Sequence, residues 1–232
     1  MTYIVSEIGV NWNGDFEILE KMISKSKNAG CNAVKFQAFN MEQIKSHPEC
    51  EMLIKTSISE KNIEKINQIA QRYEIEWFCT PMYPEIVKVL NPFVKRFKLR
   101  EFDGRSLVED EITPLTKSVL ETGKEIIVSS QKSPKNCDNY KNEQIRWLYC
   151  VPKYPCIIED IDFKDIQDFN GYSNHCVDPI VPISAAVLGS DIIELHVTLD
   201  KNGKYIDNNV SFDFEELKKI VNNIRKIERL KK

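Results

Sequence analysis

Apolar and polar positions along this chain switch repeatedly between two periods. Short runs alternate every second residue, as in a strand packed on one face, and longer ones repeat at helical spacing. The short runs predict strands at Tyr3–Gly9, Ala33–Phe39, Glu76–Thr80, Val94–Leu99, Glu125–Ser129 and Ile145–Cys150. The longer runs predict helices over Asp15–Ala29, closed by Gly30, and over Ser59–Tyr73, with Ile63, Ile66 and Ile69 on one face. Further helices are predicted at Glu85–Leu90 and at Leu107–Glu121, stopped by Gly123. Met41–Thr56 reads as a long connection. The Pro, Asn and Asp content of Gln131–Glu143 leaves any helix there short or absent, and Asp160–Phe169 reads as a weak helix. Gly171–Asp200 then reads as strand, small-residue helix and strand, a parallel βαβ unit of about thirty residues. Asp213–Leu230 closes the chain as a long helix.

About eight strands in strict alternation with helices predict an α/β protein, a (β/α)8 TIM barrel forming a single domain over residues 1–232. A doubly wound open sheet is the alternative. It prefers a glycine-rich first turn, and Gly9-Val10-Asn11-Trp12-Asn13-Gly14 lacks that spacing. Apolar residues at 42% supply a sizeable core, and charged residues at 29% describe an ordinary solvated surface. A net charge of −3 argues against nucleic acid as a partner. No apolar run approaches the roughly 18 residues of a membrane span, and MTYIVSEIGV lacks a basic head, so the expectation is a cytoplasmic protein without membrane contact. Seven scattered cysteines without a CxxC pair read as reduced thiols rather than disulfides.

Parity within the strands sorts the chemistry. In a barrel, inward residues near the C-terminal ends of strands carry function. Ile193, Leu195 and Val197 suit a face packed on helices, which turns Glu194 and His196 inward. The same argument turns Lys35 and Gln37 inward opposite Val34 and Phe36, and sets Arg96, Lys98 and Arg100 against Phe97 and Leu99. Glu7, Thr80, Ser129, Ser173 and His175 each fall late in a strand. So many inward polar groups must pair with one another or with a ligand. Barrel ion pairs without catalysis, such as Glu7 or Glu194 with Lys35, are the plain alternative. Lysines beside hydroxyls suit phosphate and carboxylate, and two imidazoles on adjacent strand ends suit a divalent metal. His47, in the second loop, reads as structural.

The segments SEIGVNWNGD, AVKFQ, CTP, FKL, YP, GYSNH and ELHVTLD occur in the order found in the sialic acid synthase family, and the chain resembles that family over its whole length. Its members are phosphoenolpyruvate-dependent synthases of N-acetylneuraminate and related nonulosonic acids. The resemblance implies condensation of phosphoenolpyruvate with an open-chain amino sugar. It assigns His175 and His196 to a divalent metal, Mn2+ or Mg2+, and Lys35, Thr80, Lys98, Ser129 and Ser173 to phosphoenolpyruvate. It places Glu7, Gln37, Asp103, Tyr154 and Asp207 near the sugar or the proton path, with Glu7 and Asp103 as candidate proton-handling carboxylates beside the histidines. Three departures stand out: Trp12 where the family has histidine, Leu99-Arg100-Glu101 where it has small residues and a serine, and Pro152 where it has asparagine. The chain is also expected to lack the antifreeze-like domain that lends an arginine across a swapped homodimer. Any homodimer would then use the barrel surface. Two other functions fit the same residues: an aldolase or lyase using Lys35 or Lys98 as a Schiff-base amine, and a sugar-binding barrel without turnover.

Overall fold

The computed structural model describes residues 1–231. Strand β1 (Tyr3–Glu7) pairs with both β2 (Ala33–Ala38) and β8 (Ile192–Thr198), which closes the sheet on itself. Around the ring follow β3 (Glu76–Pro81), β4 (Arg96–Leu99), β5 (Glu125–Ser130), β6 (Ile145–Cys150) and β7 (Gly171–Asn174), all parallel. This is the expected eight-stranded barrel, and no edge is left for an open sheet. A two-residue strand, β9 (Phe212–Asp213), runs beside the end of β8.

The helices form the outer layer. They are α1 (Phe16–Ala29), α2 (Met41–Ile44), α3 (Cys50–Thr56), α4 (Ile63–Arg72), α5 (Pro84–Leu90), α6 (Glu101–Val108), α7 (Pro114–Leu120), α8 (Ile180–Val187) and α9 (Phe214–Leu230). Local chemistry sets several ends. The Asp15 carboxylate accepts from the Glu17 and Ile18 N–H groups at the start of α1, and Gly30 at φ 91° stops it. Asp213 and Glu216 form a reciprocal capping box on α9. Val34, Phe36, Phe97, Leu99, Ile193, Leu195 and Val197 are fully buried in the main apolar core shared by sheet and helices.

Several segments depart from the expected pattern. Met41–Thr56, read as a connection, holds the short helices α2 and α3, the first opened by a capping box between Asn40 and Gln43. Leu107–Glu121 is not one helix: α6 begins earlier, at Glu101, and α7 begins only at Pro114. Asp110 at φ 59° breaks the run, and Pro114 cannot continue a helix begun before it. Asp160–Phe169 holds only short 3-10 turns at Ile158–Asp160 and Ile166–Asp168. Here Asp160 and Asp162 accept from the backbone N–H groups of Ile157 and Lys164, and these local bonds compete with a helix. The first strand ends at Glu7 rather than Gly9, because Gly9 turns away at φ 52°. Gln131–Glu143 holds only a 3-10 turn at Asp138–Lys141, as its composition predicted.

Among the described residues the cysteines carry free thiols, and no helix is long and apolar enough to cross a membrane.

Candidate active site

A cavity of about 450 Å³ opens where the strands end. Its lining includes Glu7, Lys35, Gln37, Thr80, Lys98, Ser129, Tyr154, Ser173, His175, Glu194, His196 and Asp207; of these, Lys35, Gln37, Lys98, Glu194 and His196 are the ones strand parity turns inward. Register explains the convergence. Glu7 stands opposite Lys35 on one side and His196 on the other, Gln37 opposite Thr80, and Ser173 opposite Glu194.

Lys35 is the hub of the floor. Its Nζ lies 3.0 Å from Glu7 Oε1 and 3.6 Å from Glu194 Oε1, and donates to Thr80 Oγ1 at 3.1 Å. Gln37 Nε2 donates to the same Glu7 oxygen at 2.9 Å, and Ser173 Oγ donates to Glu194 Oε1 at 2.9 Å. A side chain at Gly9 would press on Glu7 Oε1 and Gln37 Nε2, so the glycine also leaves room for this pair. Burial pulls the Lys35 ammonium toward deprotonation, but the Glu194 and Glu7 charges outweigh it and hold its pKa above the ordinary value. Burial pushes Glu194 the other way, yet Lys35 and Lys98 together hold its carboxyl down at about 2. The barrel ion-pair network is therefore present, but it does not use up the polar groups. Glu7 Oε2 and Glu194 Oε2 are buried without hydrogen-bond partners.

Lys98 is held differently. Its Nζ donates to Ser129 Oγ at 2.6 Å and to the Leu99 carbonyl at 3.0 Å, and no carboxylate among the described residues pairs with it. Burial lowers its pKa. A buried ammonium served by one hydroxyl and one carbonyl is set for an incoming anion.

The imidazoles of His175 and His196 lie 5.3 Å apart between ring centres. His175 Nδ1 is 2.8 Å from the Val151 carbonyl, and His196 Nδ1 is 3.4 Å from Asp207 Oδ2 without a satisfied hydrogen bond. Each Nδ1 faces protein oxygen, which leaves Nε2 as the free nitrogen of each ring. That is the arrangement by which an outer oxygen orients a metal-ligating histidine. Burial keeps the His175 pKa low, favouring the neutral ring that a metal needs. The Tyr154 ring packs on the His175 imidazole at 3.9 Å and meets the His196 imidazole edge-on at 6.0 Å between ring centres. Among the described residues no set of three or more His, Cys, Asp or Glu side chains forms a closed metal cage. The donors fit an open site with two protein nitrogens and room for water or substrate oxygen.

Asp103 does not join the site. Its carboxylate is taken by Arg100, with Nε to Oδ2 at 2.9 Å, and the cavity lining passes it by. It sits on the same helix turn as Arg100, and that near cation captures it before any ligand can. Arg96, grouped by parity with Lys98, lies at the opposite end of β4, bonded to Glu76 and Glu125 with Tyr3 under its guanidinium. Trp12 is buried away from the cavity, its indole N–H donating to the Thr56 carbonyl at 3.1 Å. His47, expected to be structural, is exposed on the cavity's edge, and its Nδ1 accepts the Glu49 N–H.

Several lining residues had no role assigned from the sequence. Arg100, Glu101 and Arg105 form a charged lip, with Arg105 on Glu101 at 2.7 Å. Asn11 does not line the cavity but holds one side of it. Its amide donates to the Val197 carbonyl and Ser211 Oγ, and its Oδ1 accepts the Asp207 N–H at 2.9 Å. Its place in EIGVN was the available signal.

The model of the NeuB family matches residues 22–232. The chain belongs to the NeuB family. It is 32% identical to an uncharacterized protein of Methanocaldococcus jannaschii, over 99% of this chain and 72% of that protein. It is 28% identical to an N,N'-diacetyllegionaminic acid synthase of Campylobacter jejuni, over 98% of this chain and 77% of the relative. Among solved structures, the N-acetylneuraminic acid synthetase of Leptospira borgpetersenii superposes with a TM-score of 0.84 at 26% identity, covering 99% of this chain and 84% of that one. The resemblance drawn from the motifs and the family match agree.

Proposed function

We propose that this NeuB-family barrel condenses phosphoenolpyruvate with an open-chain amino sugar to form a nonulosonic acid. The observation that carries the reading is Lys98: a buried ammonium without an ion pair, in the same cavity as a pair of orientable imidazoles. Lys98 with Ser129 offers an unpaired cationic station for one anionic group of phosphoenolpyruvate, and Lys35, Thr80 and Ser173, although Lys35 and Ser173 already contact carboxylates, line the same cavity beside it for the other. Holding both ends would fix the enol carbon in one pose relative to the aldehyde.

A divalent ion, Mn2+ or Mg2+, bound by His175 and His196 would supply Lewis acidity to the sugar aldehyde. Asp207 and the Val151 carbonyl keep the two rings oriented, and Tyr154 shields them from bulk water. Glu7, with one oxygen on Lys35 and the other unpartnered, is the carboxylate placed to manage a proton as water adds and phosphate leaves. Gln37 keeps that carboxylate in place and presents the rest of its amide to the sugar. Asp103 acts at one remove, by fixing Arg100. The free thiols suit a cytoplasmic setting.

Burial of Lys98 also favours the Schiff-base alternative, since a lowered pKa makes an amine nucleophilic. One experiment separates the two. The protein is incubated with phosphoenolpyruvate, Mn2+ and an acylamino aldose, and inorganic phosphate is measured. A parallel sample with pyruvate is reduced with borohydride. The condensation reading expects phosphate only when the aldose is present, and no reduced adduct. A borohydride-stable adduct on Lys98 or Lys35, without phosphate release in the first sample, would replace it with an aldolase.

A further inference from the structure

Arg100 follows Lys98 on the same side of its strand. β4 ends at Leu99, and the backbone at Arg100 is still extended, at φ −67° and ψ 168°. Alternation therefore returns the Arg100 side chain to the face of Lys98, roughly 7 Å nearer the mouth. Both side chains line the cavity. Three neighbours fix the guanidinium. Nε donates to Asp103 Oδ2 at 2.9 Å, Nη1 lies 3.4 Å from the Met82 sulfur, and Cζ lies 5.5 Å from the centre of the Phe102 ring. Asp103 is itself buried, so this tether is a fixed one.

Asp103 occupies only one edge of that guanidinium. Nε makes the short contact, Nη2 reaches Asp103 Oδ1 only at 3.5 Å, and the Met82 thioether is a weak acceptor for Nη1. No other hydrogen bond among the described residues engages the two terminal nitrogens. Arg105 differs, because its Nε and Nη2 both lie on Glu101 and its side chain is more than half exposed. The floor below has a use for a second cation. Lys35 sits between Glu7 at 3.0 Å and Glu194 at 3.6 Å, which leaves Lys98 as the uncommitted ammonium. A phosphoryl dianion on Lys98 alone would keep an unmatched charge in a buried place. The N–H groups of a guanidinium fit phosphate oxygens in pairs.

From this arrangement we infer that Arg100 is a further substrate-binding residue, which closes on the phosphoryl group of phosphoenolpyruvate from the mouth side while Lys98 and Ser129 hold it from the floor. Nη1 and the outer hydrogen of Nη2 make the contact, and Asp103 keeps them aimed. Inorganic phosphate formed in the reaction keeps the same partners until it leaves past Arg100, and so competes with phosphoenolpyruvate. The carboxylate of phosphoenolpyruvate falls to the Lys35 side, out of reach of Arg100. This inference rests on the condensation reading above.

The test uses the whole protein with inorganic phosphate, phosphoenolpyruvate and pyruvate, each in the presence of Mg2+. Affinity is read by ligand-observed NMR, and turnover with an acylamino aldose by phosphate release. Arg100→Met is expected to weaken phosphate and phosphoenolpyruvate about tenfold or more. Pyruvate, which carries only the carboxylate, should bind as before. Arg100→Lys keeps a cation beside Asp103 and so protects the fold, yet should still lose most of the phosphate affinity, because a point charge does not replace the fork. Unchanged phosphate affinity in both variants overturns the inference and leaves condensation standing. Equal losses for pyruvate and phosphate overturn it too, since the contact is then not with the phosphoryl group. Phosphate binding that depends on Arg100, in a wild-type protein that releases no phosphate from phosphoenolpyruvate, overturns condensation and leaves the Arg100 contact standing. No binding of any of the three to the wild-type protein overturns both.

Discussion

Lys35 on β2 and Lys98 on β4 are both buried at the cavity floor, with β3 between their strands, yet the surrounding charges treat them in opposite ways. Lys35 compensates Glu7 and Glu194, so its removal would strand two buried carboxylates. Lys98 makes no direct ion pair among the described residues; its field helps keep Glu194 charged, but burial outweighs that attraction and its pKa falls below the ordinary value. Lys35→Met should therefore lower unfolding free energy by about 3–5 kcal/mol, the usual result of breaking a buried pair from one side. Lys98→Met should leave stability unchanged or raise it, while abolishing phosphoenolpyruvate binding. Urea unfolding beside equilibrium binding of phosphoenolpyruvate reads both, and equal destabilisation by the two variants would contradict the assigned roles. Strand parity was enough to point Lys35, Lys98, Glu194 and His196 inward, because a period of two leaves only one choice of face. Parity says nothing of which end of a barrel a residue occupies, and so Arg96 was grouped with Lys98. Nor does it see a neighbour that captures a charge first, as Arg100 captures Asp103.

At the scale of single elements, α6 shows how a helix can hold part of the floor in place. A Cβ at Gly104 would fall 2.1 Å from the Ser129 carbonyl oxygen, so α6 rests directly on β5 through this glycine. Ser129 in turn holds Lys98. Gly104→Ala should push the helix away, costing about 1–3 kcal/mol in urea unfolding and raising KM for phosphoenolpyruvate. An unchanged unfolding midpoint with unchanged KM would mean that α6 shifts freely and does not brace the floor. This helix was not legible as drawn. The apolar run from Leu107 onward hid the break at Asp110 and Pro114, and the start at Glu101 lay in a segment read only for its charges. The apolar cluster of Val10, Phe39, Ile44, Leu53, Met82 and Ile206 that lines the upper cavity was hidden for another reason. Its members sit on separate loops, and no periodicity within one segment connects Val10 to Met82 or Ile206.

For the whole molecule, alternation of short strands with helices sufficed to predict closure, and the β1–β8 pairing completes it. The barrel brings together residues from all around the ring, from Glu7 on β1 to His196 on β8, at one end. In the proposed reaction one cup holds both a metal ion at the paired imidazoles and phosphoenolpyruvate at the lysines. The most direct test is the 31P NMR line of phosphoenolpyruvate bound to the protein, recorded as Mn2+ is added. Strong paramagnetic broadening of that line is expected in the wild-type protein. The broadening should be lost in His196→Ala, with phosphoenolpyruvate still bound. A line that stays narrow with both ligands bound would place them in separate sites and contradict it.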